Sequence, residues 1–141
     1  MKGLLFLMLL AAPWAPAQNP AQDCTPAYEN HNQIDYGPLV FGRLTGRAVD
    51  PSSFQMPGVC SGLFTERNHK LVATASSDEN GNFKFGVVPP GRYRLVAHAD
   101  GLCAANVPLR IVRGKSSPKN RELVLHMKPR GIDACSYGDY K

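Results

Sequence analysis

From Phe83 to Ala97 apolar and polar side chains alternate with a period of two, broken once. Phe83 and Phe85 fall on one face of an extended chain and Lys84 on the other. Val88-Pro89-Pro90-Gly91 interrupts the ladder, because proline has no N–H to give it. Tyr93, Leu95 and Ala97 then restart the alternation. Just upstream, Asp78-Glu79-Asn80-Gly81-Asn82 is rich in residues that bond their own main chain or accept left-handed backbone angles. The chain reverses there at low cost, and Asn80-Gly81 reads as a hairpin turn.

The same period runs through the flanking segments. Leu39 to Asp50 reads as a first strand, with Gly42 and Gly46 marking places of close backbone approach. Pro51 to Gly58 is a turn-rich connection. Val59 to Glu66 places Val59, Ser61 and Leu63 on one face and Cys60, Gly62 and Phe64 on the other. Lys70 to Ser76 alternates Leu71, Ala73 and Ala75 with Val72 and Thr74. After a turn at Ala99-Asp100-Gly101, Val107, Leu109 and Ile111 keep step, and Pro108 marks an edge strand. Leu123, Leu125 and Met127 form the last strand. The pattern predicts an all-β fold, a single antiparallel β-sandwich of about seven strands with irregular N- and C-terminal tails. Its expected core is Phe83, Phe85, Tyr93, Leu95, Leu63, Leu71, Leu109, Leu123 and Leu125.

The N-terminus changes the picture. Leu4 to Ala12 is apolar throughout but shorter than the roughly 18–20 residues of a membrane span. Ala15-Pro16-Ala17 offers small residues where a signal peptidase reads them, which sets cleavage before Gln18. The expected organisation is a signal peptide over 1–17, an extended arm over 18–38, the sandwich over 39–127 and a tail over 128–141. The mature chain would be secreted or periplasmic, without a membrane span.

Four cysteines, Cys24, Cys60, Cys103 and Cys135, follow the cleavage site. An even number in a small exported domain reads as two disulfides. Zinc sites favour close pairs such as Cys-x-x-Cys, and these cysteines are far apart in sequence. The formal net charge is +5 and unevenly placed. Arg110, Arg113, Lys115, Lys119, Arg121, Lys128 and Arg130 face Glu122 alone between positions 110 and 130, whereas Asp23, Glu29 and Asp35 precede the first base after cleavage, Arg43. Such a basic end attracts anionic surfaces, or serves as a solvated edge that discourages strand-to-strand aggregation. It lacks the interleaved aromatics of nucleic-acid binders, so no nucleic acid is expected.

Catalytic motifs are missing from the pattern. His31, His69, His98 and His126 have no ligand or acid–base partner at motif spacing, and Ser61, Ser76 and Ser77 lack a nucleophile elbow. Asp78, Asn80 and Asn82 resemble the start of a calcium loop, but Phe83 and Pro89 occupy the positions that need glycine and glutamate. No catalytic residue, cofactor or metal is therefore assigned. Aromatic rings that could stack on a sugar are Tyr28, Tyr36, Tyr137 and Tyr140, all in the two tails.

Three stretches resemble the carboxypeptidase regulatory-like domains, whose fold is a transthyretin-like, or prealbumin-like, sandwich. They are Leu44-Thr45-Gly46-Arg47-Ala48-Val49-Asp50, Met56-Pro57-Gly58-Val59, and Ser77-Asp78 through Gly81, Phe83, Phe85, Val88-Pro89-Pro90-Gly91, Tyr93 and Leu95, followed by Gly101. The resemblance implies an accessory, non-catalytic domain of bacterial type that acts through protein contacts at the cell surface or in the periplasm. Its alternative is a carbohydrate-binding module, with an enzyme third. In the implied fold the strands of Cys60 and Tyr93 are antiparallel neighbours, which implies a Cys60–Cys103 bridge with Cys24–Cys135 outside it. Cys24–Cys60 with Cys103–Cys135 stays open as the rival pairing.

Overall fold

The structure, a computed structural model, describes residues 24–30, 37–131 and 135–141. Residues 1–17, expected to be a signal peptide, and also His31 and Tyr36 lie outside the described residues. Among the described residues there are nine strands and no helix: β1 (Leu39–Phe41), β2 (Thr45–Val49), β3 (Cys60–Thr65), β4 (Leu71–Ser76), β5 (Asn82–Lys84), β6 (Gly91–His98), β7 (Ala105–Ile111), β8 (Leu123–His126) and β9 (Tyr137–Tyr140). They form a five-stranded sheet in the order β1-β7-β6-β3-β4 and a four-stranded sheet in the order β5-β2-β8-β9.

Four expectations are corrected here. The strands number nine, and the sheets are mixed: β1 runs parallel to β7, and β2 parallel to β8. The expected first strand breaks at Gly42-Arg43-Leu44, and its halves join different sheets. A second extra strand comes from the tail, where Tyr137–Tyr140 pairs with β8. The Asn80-Gly81 turn is likewise no hairpin, because it carries the chain from β4 in one sheet to β5, which pairs with β2, in the other. Pro108 sits inside the sheet. It is tolerated because β1 begins only at Leu39, opposite Leu109.

Inner faces of both sheets share one apolar core. Leu63, Leu95, Val107 and Leu109 come from the five-stranded sheet, and Ala48, Phe83, Leu123 and Leu125 from the other, with Phe85, Val88 and Met127 closing the ends. The alternation that marked Phe83, Phe85, Tyr93 and Leu95 as core holds. Leu71 does not join them and is only half-buried. A register shift between Leu63 and Phe64 sets Leu71 opposite Phe64, on the sheet's outer side.

That outer side is covered by the arm. Pro26 packs on Gly62, Asn106 Nδ2 donates to the Glu29 carbonyl at 2.7 Å, and His98 Nε2 donates to the Ala27 carbonyl at 3.1 Å. Tyr28 stands edge-on to Phe64 with centroids 5.3 Å apart, which is why Phe64 is buried on a face away from the core.

The disulfides are Cys24–Cys60 and Cys103–Cys135, with Cα separations of 5.4 and 5.1 Å. This overturns the Cys60–Cys103 and Cys24–Cys135 pairing. The neighbouring strands behind that expectation are real, since Cys60 pairs with His98. After His98, however, the chain turns at Gly101 (φ 74°) and crosses to the other sheet, where Leu102 bridges Pro129 and Cys103 N–H bonds the Lys128 carbonyl at 2.8 Å. Cys103 thus meets the tail, and Cys60 is left for the arm. Two disulfides are the chemistry of an oxidising, extracellular type of environment.

Candidate functional site

Both disulfides sit at one end of the sheets, and the loops at the opposite end carry no cross-link. β6 runs from Gly91, opposite Ile111, to His98, opposite Cys60, which fixes the two ends. At the uncross-linked end three connections converge: 42–44 between β1 and β2, 85–90 between β5 and β6, and 112–122 between β7 and β8. They come close at a glycine. A Cβ at Gly42 would lie 2.0 Å from Ser117 Oγ, which a change of serine rotamer moves, and 3.1 Å from the Pro118 carbonyl oxygen, so the long loop packs closely on the short one at this point. Arg113 ties the third connection in by donating from its guanidinium to the Val88 carbonyl at 2.8 Å.

A two-lobed cleft opens between them. The first lobe, about 330 Å³, has an apolar floor of Leu44, Phe85, Val88 and Ile111, with Arg43, Lys84 and Arg113 around it. Val87 stands over it with 90% of its surface exposed. The second lobe, about 540 Å³, shares Gly42, Arg43, Thr45 and Arg113 and adds Ser117, Lys119, Asn120 and Arg121. Neither lining includes an aspartate or glutamate. Among the described residues the ion pairs are Arg92–Glu66, His98–Glu29 and His126–Asp139, none of which neutralises a cation of the cleft. Five positive side chains around partly apolar walls, of which Arg113 and Arg121 also bond the Val88 and Val40 carbonyls, give the cleft the chemistry that suits an anionic group with an apolar neighbour.

The tail tyrosines are distributed over three surfaces. Tyr28 lies on the outer face of the five-stranded sheet, stacked on His69 at 3.8 Å. Tyr137 lies on the outer face of the four-stranded sheet, stacked on His126 at 4.6 Å with the Lys128 ammonium 5.0 Å from its centroid. Tyr140 packs on Phe41 beneath the Arg121 guanidinium, and its hydroxyl accepts the Val40 N–H. Tyr36 is outside the described residues.

Other candidates hold structure. Asp78 Oδ1 accepts the Asn80 and Asn82 N–H groups, both at 2.9 Å, and fixes the turn. Ser77 Oγ bridges the Val59 N–H and the Met56 carbonyl. Among the described residues no three His, Cys, Asp or Glu side chains cluster closely enough for a metal, and no helix is long and apolar enough to cross a membrane. The basic run of 110–121 was visible in the sequence, but Arg43 and Lys84 were not linked to it. Gly42, a glycine inside an otherwise regular strand pattern, was the signal that another backbone approaches there.

These features define a class: an all-β, disulfide-braced domain that presents a basic cleft at its free end. No family model matches the chain, and no curated protein matches it. Among solved structures it is similar to the crystal structure of 3-chlorocatechol 1,2-dioxygenase from Rhodococcus opacus 1CP, at 12% identity and a TM-score of 0.41 over 84% of this chain and 71% of that one. A likeness this slight supports no inference about activity.

Proposed function

We propose that the protein is an exported accessory domain, a transthyretin-like sandwich of the carboxypeptidase regulatory-like kind, that binds protein partners and catalyses nothing. The observation that carries this reading is the basic cleft, assembled from three connections at the end away from both disulfides. A scaffold clamped at one end and open at the other suits recognition, because the fixed sheets hold the loops without filling the space between them. The histidines among the described residues are occupied elsewhere: His69 by Tyr28, His98 by the arm and His126 by Asp139 and Tyr137. Export rests on the apolar run at Leu4–Ala12 and on the bridged cysteines.

The test is site-specific photo-crosslinking in the native host, with a photoreactive residue at Val87 in the cleft or at Thr74 on the exposed side of β4. A specific protein adduct from position 87 and none from 74, on a chain whose N-terminus is Gln18, is the expected result. A chain that keeps Leu4 to Leu10, or a silent position 87, overturns the reading.

A further inference from the structure

One patch at the end opposite the cleft has the complementary character, although Lys128 and Arg130 come to the same end beside it. There the loop from Asp50 to Gly58 and the turn from Asp78 to Gly81 lie side by side, joined by Ala48 N–H to the Gly81 carbonyl at 2.8 Å and Met56 N–H to the Ala48 carbonyl at 2.9 Å. Together they carry Asp50, Asp78 and Glu79 and contain no lysine or arginine. Phe54 stands out from this acidic rim with 71% of its surface exposed, in a loop braced by Asp50 Oδ1, which accepts the Ser52 and Phe54 N–H groups at 2.8 and 2.9 Å. The side chain is therefore presented on an ordered loop. An exposed aromatic on a loop that carries Asp50, with the Asp78-Glu79 turn in the adjoining segment, is the chemistry that a notch floored by Leu44, Phe85 and Ile111 and rimmed by Arg43, Lys84 and Arg113 would accept.

We infer that the occupant of the cleft is a second copy of this chain, entering with Phe54 and the Asp78-Glu79 turn. The inference rests on the reading of the cleft as a protein-binding surface and names its partner. The two contacting patches are different and lie at opposite ends, so the interface is heterologous. Copies joined this way add head to tail and form open chains unless the rotation between them closes a ring. A small, charge-rich contact makes the association weak and salt-sensitive, with its strength coming from many copies or high local concentration.

The test uses the oxidised mature chain and two variants that each block one end on exposed residues: Arg43→Glu/Lys84→Glu in the cleft, and Phe54→Lys/Glu79→Lys on the acidic rim. Sedimentation velocity of the parent chain at low ionic strength should show mass rising with concentration between micromolar and millimolar, and the rise should vanish at about 0.5 M salt. Each variant alone should stay monomeric. Mixed, they should form one-to-one dimers and nothing larger, because each supplies the one intact patch the other lacks. Circular dichroism and thermal melts matching the parent establish that both variants fold.

A parent chain that remains monomeric near millimolar concentration, or a mixture that does not dimerise, overturns the inference. A fluorescein-labelled Asp-Glu-Asn-Phe-Asp-Glu peptide separates that failure from failure of the cleft itself. Binding weakened at least about tenfold by Arg43→Glu/Lys84→Glu, with no self-association, leaves the cleft as a receptor for another acidic protein and removes the second copy.

Discussion

Gly62 and Gly46 occupy similar places, each inside a strand paired on both sides, yet their alanine variants should fail differently. A Cβ at Gly62 would lie 2.3 Å from Pro26 Cγ and 3.0 Å from Leu71 Cδ1 and Phe64 Cε2. The atom that cannot yield belongs to the arm, because a proline ring has no rotamer to escape into. The arm must lift. Lifting it uncovers Phe64, now 4% exposed, at about 2 kcal/mol. It also breaks the bonds from Asn106 and His98 to the arm's carbonyls, at about 1 kcal/mol each. The freed arm regains backbone entropy, so the net loss should be roughly 1–3 kcal/mol.

At Gly46 the obstructing atoms are the Leu123 carbonyl oxygen at 2.2 Å and Phe83 Cζ at 2.6 Å, which belong to the β8 backbone and the core. Relief there requires the four-stranded sheet to move, and the cost should reach about 3 kcal/mol or more. Urea titrations measure both losses. Amide exchange at Ala27, Tyr28 and Glu29, with the ring resonances of His69 against Tyr28, reports the arm. Gly62→Ala should release the arm amides and shift the His69 ring while core amides stay protected. Unchanged arm amides together with unchanged stability would refute the crossing at Pro26. Core exchange as fast as in Gly46→Ala would mean that Gly62 faces inward.

Three further outcomes follow from the same geometry. Non-reducing tryptic mapping should link the Cys24 peptide to Cys60 and the Cys103 peptide to Cys135, and a Cys60–Cys103 peptide would contradict the fold of the 99–103 turn. Cys103→Ala/Cys135→Ala opens a bridge of sequence separation 32, for which the chain-entropy model gives about 4 kcal/mol in urea titration; no measurable loss would mean that β9 is held without it. Leu95→Ala, at a fully buried position, should lose about 2–5 kcal/mol, and a thermal melt equal to the parent's would place Leu95 outside the core.

Strand faces were legible because alternation is a local signal: Phe83, Phe85, Tyr93 and Leu95 each declare their side within a few residues. β9 was not, for a physical reason. Its inward position is Gly138, whose backbone packs on Val107 and Leu123, so Tyr137-Gly138-Asp139-Tyr140 shows no apolar alternation even though it is a strand. Leu71 was lost to a register shift that no residue type announces. The cysteine pairing depended on what the chain does after Gly101, a long-range matter that spacing does not encode.

The cleft was hidden by the expectation of purely antiparallel sheets, and the mixed topology explains why it exists. β1 lies parallel to β7, so both strands finish at the same end of the molecule, and β2 lies parallel to β8, so both begin there. The link from β1 to β2 and the loop from β7 to β8 must therefore run side by side, however far apart they are in sequence. Arg43 comes from the first and Arg113, Lys119 and Arg121 from the second, and β5, which pairs antiparallel to β2, finishes with Lys84 at the same end. The two parallel pairings gather these cations, and the two connections close on each other at Gly42 and Ser117. The same strand directions carry the β2 exit and the β5 start, with Asp50, Phe54 and the Asp78–Gly81 turn, to the far end. The exit of β8 brings Lys128 and Arg130 to that far end as well, so its acidic character is confined to the Asp50–Gly58 loop and the Asp78–Gly81 turn, and it is this patch that a head-to-tail contact pairs with the cleft.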